Sequence, residues 1–248
     1  MTRQGTHLQL CGRFSVVLDG REREADLPGR RARVLVGLLA THHPYAVERD
    51  ELLDALAPDA PRDAAVGSIT VLLSKCRAVL GRDTLVGRSS ISLRLPVDGD
   101  IDVQLALVAA HEAESAVAQH QWTRAWPAAL TAMFITRRRF MPEVDAPWAD
   151  EWRGRLDLIQ QRTLGYYAEA CLGIGGAELG AAERAARRLV ELAPLSETGY
   201  RLLMRAQADQ GDVPAALITC ERLRTVLREE LGVAPGPLVQ KLLTELLG

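Results

Sequence analysis

Residues 181–192 read AAERAARRLVEL, and residues 215–226, 34 positions later, read AALITCERLRTV. Similar residues recur at this same offset both before and within the two stretches. The matching pairs are Tyr166 with Tyr200, Leu172 with Ala206, Ala181 with Ala215, Ala182 with Ala216, and Leu189 with Leu223. The C-terminal half of this 248-residue chain therefore contains an internal repeat with a period of 34 residues.

A 34-residue period is that of the tetratricopeptide repeat, a helix–turn–helix unit that buries its apolar face only by stacking on neighbours. Helical periodicity predicts seven helices in this half. Their predicted bounds are Val103–Gln119, Trp122–Thr136, Trp148–Gly173, Ala181–Leu192, Ser196–Gln210, Val213–Leu231 and Pro237–Leu247. Asp212 is a suitable N-cap for the helix that Gly232 ends, and Asp100 to Asp102 for the first of the seven. Such arrays form binding surfaces, so we expect a partner-binding half.

The first 97 residues alternate apolar and polar side chains and then change to a helical pattern. The predicted strands are His7–Leu10, Phe14–Leu18 and Arg23–Leu27, with Asp19-Gly20 as a hairpin turn. The predicted helices are Arg31–Ala40, Arg49–Leu56 and Asp63–Leu80, with Asp63 as the N-cap and Gly81 as the stop of the third. A final hairpin is predicted from Thr84–Val86 and Ile91–Leu95.

This order of elements predicts an α+β winged helix-turn-helix domain in residues 1–97. In such a domain the third helix enters the major groove of DNA, and the final hairpin, the wing, lies beside it on the backbone. Residues 98–248 form the second predicted domain, an all-α tetratricopeptide-like helical array. The whole chain is expected to be mainly α.

The third helix has one apolar face, and the opposite face is the one expected to meet DNA. Ile69, Leu72, Leu73, Cys76 and Leu80 form the i, i+3, i+4, i+7 stripe that must face the core. The candidate DNA-binding residues are Thr70, Val71 and Ser74 on the face opposite the stripe, and Lys75 and Arg77 on the flanks of that face. Lys75 and Arg77 are the only two that can make the common contact to guanine. Arg31, Arg33, Arg88 and Arg94 are candidates for phosphate contacts.

Composition excludes several other classes of protein. The net charge of −2 divides into +3 through Val97 and −5 from Asp98 onward, as in a nucleic-acid module followed by a protein-binding one. No apolar run approaches the roughly 20 residues of a membrane span, and MTRQGTHLQL lacks a signal-peptide pattern, which predicts a cytoplasmic protein. Neither the scattered histidines nor the four separated cysteines form a catalytic or zinc motif. We therefore expect no enzyme, metal or cofactor.

One segment makes the domain order specific. Glu229-Glu230-Leu231-Gly232-Val233-Ala234-Pro235-Gly236-Pro237, together with 49–56 and 71–81, resembles the Streptomyces antibiotic regulatory protein family, in which a winged helix precedes a bacterial transcriptional activation domain. The resemblance implies a nucleoid-associated bacterial activator of secondary metabolism that binds repeats in double-stranded promoter DNA. It also implies self-association on those repeats and recruitment of RNA polymerase, including its sigma factor. Asp59 and Arg62, in the loop before the third helix, are the candidate polymerase contacts.

The sequence leaves a second hypothesis open. The recognition helix presents few base-reading side chains, and Arg88-Ser89-Ser90-Ile91-Ser92-Leu93-Arg94 lacks the glycines and the tyrosine typical of the family's wing. A protein with these features is also consistent with an adaptor or sensor whose winged helix is degenerate. Its helical repeats then bind a protein or an effector.

Overall fold

The computed structural model describes residues 5–248. Contacts divide the chain into two compact units. The first runs to Ala106 and includes Arg138–Leu156, and the second comprises Leu107–Arg137 and Asp157–Gly248. Residues 1–4 lie outside the described residues. They belong to the predicted first domain and to the N-terminal stretch that lacks a signal-peptide pattern. The domain division predicted between residues 97 and 98 stays a prediction.

The described residues form short strands and longer helices. The strands are β1 (His7–Gln9), β2 (Ser15–Leu18), β3 (Arg21–Glu22), β4 (Val47–Glu48), β5 (Leu85–Val86), β6 (Ser90–Leu93) and β7 (Asp100–Ile101). The helices are α1 (Arg30–His42), α2 (Arg49–Leu56), α3 (Arg62–Leu80), α4 (Asp102–Ala118), α5 (Trp122–Thr136), α6 (Pro147–Ile174), α7 (Leu179–Leu192), α8 (Glu197–Asp209), α9 (Val213–Leu231) and α10 (Pro237–Leu247). A winged helix followed by a helical array is confirmed as the fold.

The first sheet has the order β3-β2-β1-β7. Asp19 and Gly20 have φ values of 49° and 74°, which confirms the predicted hairpin turn. The predicted third strand, Arg23–Leu27, is wrong, because the two-residue turn brings Arg21 directly opposite Leu18 and the strand ends at Glu22. Glu24–Asp26 instead forms a 3-10 turn, and its Ala and Asp residues are poor strand formers.

Strand β7 was not predicted, because Asp100–Ile101 was expected to cap the next helix. These residues instead pair in parallel with β1, His7 with Asp100 and Leu8 with Ile101. The buried carboxylate of Asp102 accepts hydrogen bonds from the backbone N–H groups of Leu10 and Cys11, each at 2.9 Å. Burial raises the pKa of Asp102, and these two hydrogen bonds oppose the increase. The carboxylate thus binds the end of β1 across the sheet.

Helices α1 to α3 pack with a second sheet of order β4-β6-β5, which contains the wing. Helix α3 begins at Arg62 after Pro61, and no side chain caps it, so the prediction that Asp63 is the N-cap is wrong. Asp63 lies in the first turn, where a negative charge favours the helix dipole. Gly81 ends α3 with a φ of 100°, as predicted. The apolar stripe of α3 is buried, as are Leu85, Ile91 and Leu93 of the wing.

The helical array reproduces the 34-residue period. Helix α8 packs against α7, α9 and α10. The repeat partners Ala182 and Ala216 lie on α7 and α9 and are both buried, as are Leu189 and Leu223. Asp212 caps α9 by accepting the N–H of Ala215 at 3.0 Å, and Gly232 ends it with a φ of 67°, which confirms both predictions. The period therefore marks equivalent core positions of successive units.

Each of the four cysteines is buried and free. Burial raises the pKa of Cys76 and of Cys171 to about 11, so both remain thiols at neutral pH. No helix within residues 5–248 combines the length and apolar character needed to cross a membrane.

Replacing Gly173 by Ala on α6 is expected to lower the free energy of unfolding by about 1–3 kcal/mol. A Cβ at this position lies 2.4 Å from ring atoms of Trp122. Gly165→Ala is the control on the same helix, because its Cβ meets only Leu189 and Leu202, at 3.7 and 4.0 Å. That variant gains roughly 0.5–1 kcal/mol from the helix propensity of Ala. Urea unfolding measures both, and equal stabilities contradict the close α6–Trp122 packing.

Candidate nucleic-acid interface

The outward face of α3 carries most of the side chains predicted to read DNA. Thr70, Val71, Ser74 and Lys75 are all exposed, and the exposed fraction of Val71 is 55%. They lie opposite the buried stripe, as the helical periodicity predicts. The Lys75 side chain makes no hydrogen bond or ion pair within residues 5–248. It is therefore free to contact a base or a phosphate.

Thr70 is exposed but already hydrogen-bonded. Its hydroxyl donates to the carbonyl of Val66, one turn earlier, at 2.7 Å. The same oxygen accepts a hydrogen bond from the guanidinium of Arg49. A contact from Thr70 to DNA therefore has to replace or share these bonds, whereas Ser74 has no such partner within the described residues.

Arg77 is half-buried and directed toward the wing. Its Nε donates to the carbonyl of Leu85 at 2.8 Å, and its Nη2 donates to the carbonyl of Gly87 at 2.7 Å. The sequence pattern places Arg77 on the flank of the recognition face as a base reader. The structure instead engages its guanidinium with the wing backbone.

The wing turn, residues 87–90, is closely packed. Gly87 has a φ of 111°, in a region that disfavours other residues, and a Cβ there lies 1.9 Å from the carbonyl oxygen of Ser90. Arg88 in the turn and Arg94 after β6 are exposed. Among the residues that the structure describes, neither side chain has a hydrogen-bond or ion-pair partner. Both predicted phosphate contacts are therefore accessible.

Arg49, at the start of α2, was missed by sequence reasoning. Its guanidinium donates to the carbonyls of Arg88 at 3.3 Å and Val66 at 3.4 Å, as well as to Thr70. Its backbone N–H donates to the carbonyl of Ser89 at 3.0 Å. The sequence carries no signal for these contacts, because they join three elements separated along the chain.

The two predicted phosphate contacts on α1 differ in their surroundings. Arg31 is exposed and donates to the hydroxyl of Ser68 on α3 at 2.7 Å. Arg33 forms ion pairs with Glu24 at 3.6 Å and with Glu143 at 3.1 Å. Arg31 thus contacts α3, whereas the charge of Arg33 is compensated by two carboxylates.

The candidate polymerase contacts lie near the junction of the α2–α3 loop with α3: Asp59 is in the loop, and Arg62 is the first residue of α3. Asp59 is exposed, and Arg62 forms an exposed ion pair with Asp50 at 2.5 Å. An open, mainly apolar cavity of about 630 Å³ adjoins this loop at Pro58. Residues of α1, of α2 and of the segment Val144–Trp148 line the cavity. Both charged candidates therefore lie on an accessible part of the first unit.

Comparison with known proteins adds a family match. Residues 101–247 match the model of the bacterial transcriptional activator domain. The chain is 29% identical to the regulatory protein AfsR of Streptomyces griseus over 83% of its length, and 28% identical to AfsR of Streptomyces coelicolor over 90%. It spans only 21% and 22% of those two proteins.

A solved structure has the same fold over the whole chain. It is Mycobacterium tuberculosis EmbR in complex with a low-affinity phosphopeptide, with a TM-score of 0.82 and 22% sequence identity. The superposition covers 100% of this chain and 65% of that one. At this identity the likeness concerns the fold.

Gly87→Ala is expected to disrupt the wing, because the new Cβ overlaps the backbone of Ser90 and requires an unfavourable positive φ. Gly67→Ala on the exposed face of α3 is the control, because its Cβ has no neighbour within 4 Å. Hydrogen exchange of the amides in residues 85–93 is expected to accelerate only in Gly87→Ala. Unchanged protection in that variant contradicts the described turn.

Proposed function

Because the chain belongs to the bacterial transcriptional activator domain family, we propose that this transcriptional regulator of the Streptomyces antibiotic regulatory protein type binds promoter DNA through α3 and the wing. The observation that carries the proposal is the set of exposed cations Lys75, Arg88 and Arg94 on these two elements, whose side chains have no ion-pair partner among residues 5–248. Cations without carboxylate partners are available to replace the counterions of the DNA phosphates.

The proposed contacts divide into base readers and phosphate contacts. Lys75, Ser74 and Val71 lie along the exposed side of the helix that enters the major groove in this fold. A Lys recognises guanine, a Ser bonds either bases or phosphates, and an apolar side chain contacts the thymine methyl group. Arg88, Arg94 and Arg31 contact the backbone on either side, which sets the register of the helix on the duplex.

The proposed activation step is recruitment of RNA polymerase, including its sigma factor, to this promoter. Support comes from the exposure of Asp59 in the loop before α3 and of Arg62 at the first position of α3, which leaves opposite charges accessible for a protein partner. The apolar cavity that adjoins this loop at Pro58 offers a place for a large apolar side chain of that partner. The same proposal includes self-association of the protein on repeated DNA sites. It also includes association of the protein with the nucleoid.

Lys75→Ala is expected to weaken binding to the specific promoter site by about 1–3 kcal/mol if Lys75 reads a base. Lys241→Ala is the control, since Lys241 is the only other lysine and lies on α10 of the second unit. Fluorescence anisotropy with a labelled DNA duplex from the region upstream of the protein's own gene, measured over a series of salt concentrations, gives the DNA affinity. A base contact lowers specific affinity, whereas a phosphate contact weakens all sequences and reduces the salt slope by about 0.9.

Absence of promoter binding by the wild-type chain at low salt contradicts the proposal. In that case, recovery of a partner other than RNA polymerase supports the adaptor or sensor hypothesis instead.

Asp59→Ala and Arg62→Ala are expected to reduce promoter-dependent transcription in vitro without changing promoter affinity, because the loop contacts polymerase and not DNA. Asp50→Ala is the matched control. It removes the ion-pair partner of Arg62 but keeps the Arg62 side chain itself. Single-round transcription with purified polymerase measures activation. A parallel loss of DNA affinity in either loop variant contradicts the assignment.

A further inference from the structure

We propose that Arg49 and Arg77 are positioning residues that fix the wing against α3, so that the two elements present one continuous DNA-binding surface. The inference rests on the proposed DNA binding and concerns how that surface is held. It assigns Arg77 to the wing backbone and introduces Arg49, a residue outside the predicted interface.

The carbonyl groups of the wing turn carry the argument. Three successive carbonyls, of Gly87, Arg88 and Ser89, accept hydrogen bonds from these two arginines. Arg77 supplies the first through Nη2, and Arg49 supplies the second through Nη1 and the third through its backbone N–H. The inner side of the turn is therefore bound to α2 and α3, and the side chain of Arg88 remains exposed.

Each arginine bonds two structural elements at once. Arg77 extends from the last turns of α3 and spans Val86 by donating to the carbonyls on either side of it, at 2.8 and 2.7 Å. Arg49 lies in the first turn of α2 and also donates to Val66 and Thr70 of α3. Only the planar guanidinium provides donors in this forked geometry, which a lysine does not reproduce.

The wing depends on such bonds because it is short. Strand β5 has two residues and β6 has four. Strand β6 also pairs with β4, Ser90 with Glu48 and Ile91 with Val47, so the pairing on each side of β6 spans two residues. Strand pairing this short is marginal by itself in water. The wing's buried residues Leu85, Ile91 and Leu93 hold the strands on the core, but the turn beyond Val86 contributes no buried apolar side chain. Hydrogen bonds from Arg49 and Arg77 therefore set the position of the turn and of Arg88.

A positioning role and a direct DNA contact predict different energetic couplings between Arg77 and the wing residues Arg88 and Arg94. If Arg77 acts through the wing, Arg77→Ala weakens DNA binding by roughly tenfold in the wild-type background, within the range for residues in one network. The same substitution then has little effect in the Arg88→Ala/Arg94→Ala background, where the wing has lost its own contacts. If the losses of DNA affinity from Arg77→Ala and from the Arg88→Ala/Arg94→Ala pair are additive in this thermodynamic cycle, the proposal is overturned, because additivity identifies Arg77 as a direct contact.

Arg77→Lys separates charge from geometry. A lysine keeps the positive charge near DNA, but its three donors share one ammonium nitrogen in place of the two guanidinium nitrogens that Arg77 uses. We expect Arg77→Lys to bind DNA as weakly as Arg77→Ala. Recovery of wild-type affinity by lysine overturns the positioning role.

Hydrogen exchange of the free protein tests the same inference without DNA. Arg49→Ala and Arg77→Ala are expected to accelerate exchange of the amides of residues 85–93, while the core amides of α1 keep their protection. Arg82→Ala is the matched control, an exposed arginine between α3 and β5 without a side-chain partner among the described residues. Unchanged wing protection in both variants overturns the proposal. If the wild-type chain binds no DNA, the proposed function fails, and the exchange result still decides whether the arginines position the wing.

Discussion

Burial of one face of α3 is the constraint on which the first unit depends. Ile69, Leu73 and Cys76 are almost completely buried, and every residue between them is placed by the 3.6-residue period. Rotation of the helix by one residue would expose this stripe and bury Lys75. The same packing that forms the core therefore determines which side chains are available to a ligand, and no separate device is needed to orient the exposed face.

Backbone hydrogen-bonding groups impose the next constraint. Most buried backbone polar groups in proteins are paired, and a short hairpin leaves many of its carbonyls without strand partners. In the wing, the side chains of Arg77 and Arg49 donate hydrogen bonds to such carbonyls. In the proposed role, Arg77, a candidate base reader on sequence grounds, and Arg49 become part of the framework that holds the wing. A positive charge on a DNA-binding domain is consequently not by itself a sign of contact with DNA.

The second unit depends on small residues at helix contacts. Alanines at 182, 186, 206 and 216 are buried, and Gly199 on α8 approaches Leu189 and Val190 so closely that a Cβ there would lie 3.2 Å from their atoms. Small side chains allow neighbouring helices to stack closely, and the leucines and Tyr200 fill the remaining space. The 34-residue repeat in the sequence therefore reflects the same packing requirement in each helical repeat. The buried positions match between the repeats, whereas the exposed residues differ.

The sequence by itself determined the elements whose signals are local. It placed α2, α5, α9 and α10 at their observed bounds, and it identified the Asp19-Gly20 turn, because periodicity, caps and glycines act over a few residues. Only the tertiary structure decided the contacts between distant segments. The parallel pairing of His7 with Asp100 joins residues far apart, and two-residue strands have no period to detect. Likewise, the helical spacing placed Arg77 on the flank of the exposed face of α3 but did not identify its hydrogen-bond partners. The carbonyls that it binds belong to the wing, whose position depends on the whole fold.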